Sequence, residues 1–100
     1  MSDAFQPIRI VALYNFTPFE DHAALREPLL ALCEAEGIKG ILLLAREGIN
    51  GTIAGSDAGM ERVLEHIHAL PGCAELEIKG SRAPEMPFRR MKVRLKREIV

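Results

Sequence analysis

The order of elements that the sequence predicts is β-α-β-β-α-β, which indicates an α+β, ferredoxin-like fold: a four-stranded antiparallel sheet with two helices on one face. Two segments, 21–36 and 56–69, carry apolar residues at helical spacing. The segments around them are rich in β-branched and apolar residues, and glycines and prolines separate the elements. One hundred residues, 48% of them hydrophobic, suffice for a single domain with its own core.

The first strand and the first helix are expected over residues 8–16 and 21–36. The strand segment, IRIVALYNF, favours burial on at least one face. Asp21 is placed to cap the helix, and Gly37 is placed to end it. Pro28 lies inside this segment and lacks a backbone N–H, so we expect a kink or two helical pieces. The core-facing stripe of the helix consists of Leu25, Leu29, Leu32 and Cys33.

The middle of the chain predicts a hairpin. Residues 38–45 indicate a central strand that is apolar on both faces, and residues 51–55 indicate the returning strand. Between them, the Asn50-Gly51 pair favours a tight turn because both residues readily adopt positive φ. The exposed amides of this turn, with Asn50 and Thr52, also suit a ligand. Spacing alone favours the simple turn.

The second half of the chain predicts a helix, a strand and a basic tail. Ser56 or Asp57 caps a helix that runs to about Ala69. Residues 74–79 alternate and indicate a fourth strand, and residues 80–88 indicate a loop with two prolines. The helix places an apolar stripe toward the core, formed by Met60, Val63, Leu64 and Ile67.

The charge of the chain is unevenly distributed. Residues 1–78 hold 5 Lys and Arg against 12 Asp and Glu, whereas residues 79–100 hold 8 against 2. Such polarity predicts that the tail meets something acidic, either a nucleic acid or an acidic neighbouring domain. Alternatively, the two parts neutralise each other within the fold.

The tail itself alternates over residues 91–99 and indicates a possible fifth strand. Its apolar members would then lie on one face and its basic members on the other, about 6.6 Å apart. This spacing suits a groove that follows a nucleic-acid backbone. The alternative is a solvated edge strand that charge protects from aggregation. The basic face would consist of Arg90, Lys92, Arg94 and Lys96.

Groups that commonly carry chemistry are poorly placed. Cys33 is expected near a helix C-terminus, which opposes thiolate formation, and Cys73, expected to be exposed, follows a Pro-Gly turn. Their separation of 40 residues indicates reduced thiols rather than a metal pair. No cofactor or metal is expected, and the sequence shows neither a signal peptide nor a membrane span. The histidines, His22, His66 and His68, are expected on the surface.

Two functional classes share the predicted sheet. An acylphosphatase-like enzyme needs an arginine in the loop after the first strand, and residues 15–19 contain none. An RNA-recognition module needs aromatic residues on its central strands. Residues 41–44 and 52–54, taken as the central strands, contain none. Both interpretations are weak from these residues alone.

Several phrases resemble the N-terminal region of the rhodanese-related tRNA uridine hydroxylases. The most specific are EGINGTIAG at 47–55 and MPFRRMKV at 86–93, and the resemblance covers about residues 8–100. It implies a cytoplasmic protein in which a rhodanese domain, with a cysteine in its active-site loop, follows this region. It also implies oxygen-dependent 5-hydroxylation of the wobble uridine of certain tRNAs. The rhodanese domain is absent here, so no catalytic residue is carried over.

The resemblance makes two surfaces, the EGINGT turn at 47–52 and the basic strand of the tail, candidates for binding tRNA or for docking the rhodanese domain. The expected division is a core at about 7–80 and a basic connector at 81–100. In the docking hypothesis, apolar tail residues, Ile99 among them, lie at the interface, and the isolated chain is mobile after about Gly80. A third hypothesis, a small independent phosphatase, lacks a nucleophile, a base and an anion cradle. The candidate residues are Arg89, Arg90, Lys92, Arg94, Lys96, Arg97, Glu47 and Asn50.

Overall fold

The computed structural model describes residues 7–97, which form one mixed sheet and two α-helices. Ile99 therefore lies outside the described residues. The bounds of the elements are β1 (Ile8–Phe16), α1 (Arg26–Ala35), β2 (Lys39–Ala45), β3 (Gly48–Gly55), α2 (Asp57–His68), β4 (Glu77–Ala83) and β5 (Met91–Leu95).

The sheet has the strand order β4-β1-β3-β2-β5. Neighbours are antiparallel except for β5, which runs parallel to β2. The ferredoxin-like prediction is confirmed, and the tail adds a fifth strand at the sheet edge. Residues opposite each other across a ladder share a face of the sheet. The face that the helices cover is identified by its buried residues, Val11, Leu13, Leu42, Leu44, Ile53 and Val93.

The first helical segment is divided into two pieces as predicted, but the division lies before Arg26 rather than at Pro28. A short 3₁₀ helix at His22–Leu25 precedes α1, and the Asp21 carboxylate accepts a hydrogen bond from the Ala24 N–H at 3.3 Å. Pro28 occupies the third position of α1, where a backbone N–H has no partner within the helix anyway. Gly37 follows with a φ of 69°, which suits the helix end.

The hairpin turn lies earlier than the sequence predicts. Ala45 pairs with Gly48, so the turn consists of Arg46 and Glu47, while Asn50-Gly51 lies inside β3. Neither turn residue has a positive φ, so the conformation that favours Asn-Gly is not the one used. Gly51 serves the sheet instead, since a Cβ there would collide with the carbonyl oxygen of Ile41 on β2.

The second helix matches its prediction, and the fourth strand does not. Ser56 caps α2 by accepting a hydrogen bond from the Gly59 N–H at 3.1 Å, and the whole predicted stripe is buried. The fourth strand was expected at 74–79 but spans Glu77–Ala83. Its position follows from pairing with Ile8–Tyr14 of β1, a long-range contact that outweighs the turn signal of Gly80.

The core lies between the sheet and the helices, and β5 contributes to it. Val93 is 1% exposed, and the side chain of Arg26 donates from Nε to the Val93 carbonyl at 2.7 Å. This bond links the start of α1 to the edge strand. Within residues 7–97, no helix has the length and apolar character needed to cross a membrane.

Candidate nucleic-acid interface

The face of the sheet opposite the helices is open. Its side chains can be placed from the strand register, because paired residues share a face. One row across the five strands joins Glu77, Tyr14, Asn50, Leu43 and Arg94. The neighbouring row joins Lys79, Ala12, Thr52, Ile41 and Lys92.

The basic residues of the tail alternate as the sequence predicts. Lys92 and Arg94 are exposed on the open face, whereas Val93 between them is buried in the core. Arg90 and Lys96 flank the strand and continue its ladder. The Arg90 carbonyl accepts from the Gly40 N–H at 2.9 Å, and the Lys96 N–H donates to the Leu44 carbonyl at 2.8 Å. The backbone therefore fixes residues 90–96 against β2.

The basic segment is not neutralised within the described part of the chain. The four ion pairs that occur between residues 7 and 97 are Arg9–Glu61, Arg26–Glu27, Arg62–Glu36 and Arg82–Asp57. Each of the four uses an arginine outside the segment 89–97. The candidate cations at 89, 90, 92, 94, 96 and 97 therefore have no carboxylate partner among the described residues.

Some of the acidic residues lie on the helices, and others lie in turns or, like Glu77, on the open face. The two helices carry five carboxylates and two arginines. Two of the ion pairs join arginines of β1 and β4 to carboxylates of α2, on the face of the sheet that the helices cover. The cations of residues 89–97 are thus collected at one edge of the sheet, whereas Glu27, Asp57 and Glu61 of the helices are paired with arginines. The five helix carboxylates are Glu27, Glu34, Asp57, Glu61 and Glu65.

An aromatic pair on the open face was missed by the sequence reasoning. Tyr14 and Phe16 lie on β1, with ring centroids 4.9 Å apart and an interplanar angle of 76°. They are 38% and 52% exposed. The prediction took 41–44 and 52–54 as the central strands, but β1 also lies in the interior of the sheet, beside β3. The alternation within IRIVALYNF was the available signal, since Val11 and Leu13 face the core.

The two candidate residues of the EGINGT segment are separated. Glu47 lies in the hairpin turn, and Asn50 lies within β3 directly opposite Tyr14. The Asn50 side chain forms no hydrogen bond within residues 7–97. The structure therefore places Asn50 with Tyr14 and the basic edge, and it places Glu47 at the end of the sheet.

Two backbone amides of the loop after β1 are already hydrogen-bonded to the hairpin turn. The Thr17 N–H donates to the Glu47 carbonyl at 2.9 Å, and the Phe19 N–H donates to the Arg46 carbonyl at 2.7 Å. An anion cradle requires such amides to point at a ligand. Here the Thr17 and Phe19 amides instead hold the loop against the hairpin turn.

Both thiols are buried, contrary to the expectation for Cys73. Desolvation, with a smaller contribution from the Glu34 carboxylate, raises the pKa of the Cys33 thiol to about 12. Desolvation also raises the pKa of Cys73, which a hydrogen bond from the Asn15 side-chain amide partly opposes. Asn15 Nδ2 lies 3.5 Å from Cys73 Sγ and 2.9 Å from the Gly72 carbonyl oxygen, to which it also donates. Both environments disfavour a thiolate nucleophile.

Comparison with known proteins supports this fold and gives the chain its relatives. A tRNA uridine(34) hydroxylase from Gluconobacter oxydans is 83% identical over the whole chain, and one from Caulobacter vibrioides is 67% identical over 92% of it. The chain spans only 32% and 29% of those two relatives.

An acylphosphatase from Bacillus subtilis superposes with a TM-score of 0.64 at 10% identity, over 86% of this chain and 97% of that one. At this identity, the likeness concerns the fold. The model of one family, described as the UPF0176 acylphosphatase like domain, matches residues 8–99. The chain therefore belongs to the UPF0176 acylphosphatase-like domain family.

Proposed function

We propose that this chain is a non-catalytic domain of a tRNA uridine hydroxylase and that it helps to bind or position the tRNA. The names of the relatives support the substrate, and their greater length leaves room for a catalytic domain elsewhere. In this proposal, a C-terminal rhodanese domain performs oxygen-dependent 5-hydroxylation of the wobble uridine in the cytoplasm. The present domain supplies surface rather than chemistry.

The observation that carries the proposal is the group of cations at the β5 edge of the sheet, which have no carboxylate partner within residues 7–97. Six cations lie within nine residues, and the strand at their centre, which holds Lys92 and Arg94, is fixed by its ladder with β2. Such a rigid row of positive charge attracts a phosphate backbone and releases counterions when it binds. A merely protective edge strand does not require cations on both flanks and along the open face.

The second candidate is a structural module that docks the rhodanese domain without touching RNA. Leu95, 44% exposed at the end of β5, is the observation that favours it. Against it, β5 pairs with β2 and buries Val93 within this chain, so the strand needs no docked domain to form. The division into a core at about 7–80 and a basic connector at 81–100 remains a prediction.

The test is tRNA binding by this chain and by the intact protein, each over a series of salt concentrations. The proposal expects the chain alone to bind, with log Kd rising linearly with log salt concentration and a slope that corresponds to several phosphate contacts. Binding by the intact protein alone would favour docking. Binding by neither would overturn the proposal.

A further inference from the structure

The exposed aromatic pair on β1 has no role in the core. Tyr14 and Phe16 point away from the helices, and the edge-to-face packing of Phe16 holds the Tyr14 ring in a defined orientation. The chain has one tyrosine, four phenylalanines and no tryptophan, so two of its five aromatic residues lie together on the open face. Exposed apolar surface of this kind commonly marks a binding site.

The row that contains Tyr14 connects this pair to the basic edge. From β1 to β5 it presents the Tyr14 ring, the Asn50 amide, the Leu43 side chain and the Arg94 guanidinium. Three strand spacings separate Tyr14 from Arg94, which corresponds to about 14 Å between their backbones. This span exceeds one nucleotide and suits a short extended segment.

We propose that a single-stranded segment of RNA crosses the open face. One of its bases stacks on Tyr14, and the phosphates of nucleotides further along the segment contact Arg94 and Lys92. The proposal rests on the proposed function and specifies which part of an RNA the domain would hold. Aromatic rings stack on any unpaired base, whereas the bases of a duplex are already stacked and inaccessible to them. Asn50, which has no partner within residues 7–97, is placed to donate to or accept from the edge of that base.

A depression at the β5 end of the row extends the same path. It has a volume of about 360 Å³ and combines the apolar side chains of Ile41 and Phe88 with three cations. An apolar wall with a cationic rim suits a further base and its phosphate. The cations are Arg89, Arg90 and Lys92.

The composition of the chain makes this testable without a label. Tyr14 is the one tyrosine and there is no tryptophan, so the intrinsic fluorescence of the chain reports on that ring. We expect a single-stranded oligoribonucleotide to quench it to saturation, whereas a duplex of equal length quenches it little. Free N-acetyltyrosinamide in the same titration corrects for absorption by the nucleotides.

Two variants assign the contact. Tyr14→Phe keeps a ring and should bind within about twofold of the original chain, whereas Tyr14→Ala should weaken binding about tenfold or more, since stacking contributes about 1–3 kcal/mol per base. The salt dependence should not change in either variant, because neither alters a cation. Circular dichroism checks that both remain folded, as expected for a side chain outside the core.

The outcomes separate this inference from the proposed function. If charge reversal at Lys92 and Arg94 abolishes RNA binding but Tyr14→Ala leaves the affinity unchanged, the stacking inference is overturned and the proposed function stands. Equal quenching by duplex and single strand would also overturn the inference. If the chain and the intact protein bind no RNA at any salt concentration, both proposals fail.

Discussion

At the scale of single residues, the two thiols show how burial decides chemistry. Cys33 faces the core from α1, and the Cys73 thiol lies under the Pro-Gly turn that follows α2, held by Asn15. In both places desolvation penalises the thiolate, so the pKa of each thiol is raised. These cysteines therefore act as small apolar side chains.

The thiols should be unreactive in the folded chain. At pH 8, iodoacetamide should label Cys33 and Cys73 at least tenfold more slowly than the same residues in denaturant, because both stay buried and protonated. Mass spectrometry of partly labelled chain measures this for each residue. Rapid labelling of either thiol without unfolding would contradict the assigned burial.

The raised pKa of Cys33 also predicts a pH dependence of stability. Burial raises the pKa of the folded thiol to about 12, above its ordinary value of 9.0, so the unfolded chain loses this proton first as pH rises. The resulting contribution is fully present below pH 9 and is lost between about pH 9 and 12, by up to ~1.4 kcal/mol per pH unit. Cys33→Ala should show a shallower fall in unfolding free energy over that range. An unchanged slope would contradict the assignment.

Gly51 gives a residue-scale test of the corrected hairpin. A Cβ at this position collides with the Ile41 carbonyl oxygen, so Gly51→Ala should destabilise the chain by about 2 kcal/mol or more. Gly80→Ala is the matched control, because a Cβ on β4 meets only the Ile10 carbonyl oxygen at 3.9 Å. Urea unfolding compares the two. Similar stability in both variants would argue against the observed register.

At the scale of elements, local sequence signals predicted most of the fold. They failed where strand pairing determines the bounds of a strand or turn. The strand at 8–16 and the stripe of α2 were predicted because period and composition are local properties. The hairpin turn was misplaced because Asn50-Gly51 imitates a turn signal that the sheet uses for close strand approach. The start of β4 depends on its partner strand β1, which no local pattern reveals.

The fifth strand gives an element-scale prediction. Because Val93 is buried in the core, Val93→Ala should lower the free energy of unfolding by about 2 kcal/mol. Arg94→Ala, on the open face one residue later, should change it by less than about 0.5 kcal/mol. Urea unfolding at high salt makes the comparison. Equal, small effects would show that residues 91–95 are a connector rather than part of the folded sheet.

The loop after β1 predicts the absence of one activity. Because the Thr17 and Phe19 amides are bonded to the hairpin, the pure chain should hydrolyse acetyl phosphate no faster than buffer. Release of inorganic phosphate measures this, with an active acylphosphatase as the positive control. Turnover that follows the chain through purification would revive the enzymatic hypothesis.

At the scale of the whole molecule, the cations of residues 89–97 collect at one edge of the sheet. The uneven distribution along the sequence predicted a basic surface, and its residues were largely identified because they are contiguous. The aromatic pair was not identified. Its position relative to the basic edge depends on the strand order, which brings Tyr14 into the same row as Arg94 although the two are 80 positions apart in the sequence.

Charge reversal on the two faces tests most directly where RNA binds. Lys92→Glu with Arg94→Glu alters the open face, and Arg62→Glu alters the helical face by the same change in charge per residue. We expect the open-face pair to weaken tRNA binding at least tenfold and to reduce the salt slope by about 2, whereas Arg62→Glu should change neither substantially. Equal effects from both faces would contradict the claim that the open face and its basic edge form the RNA-binding surface.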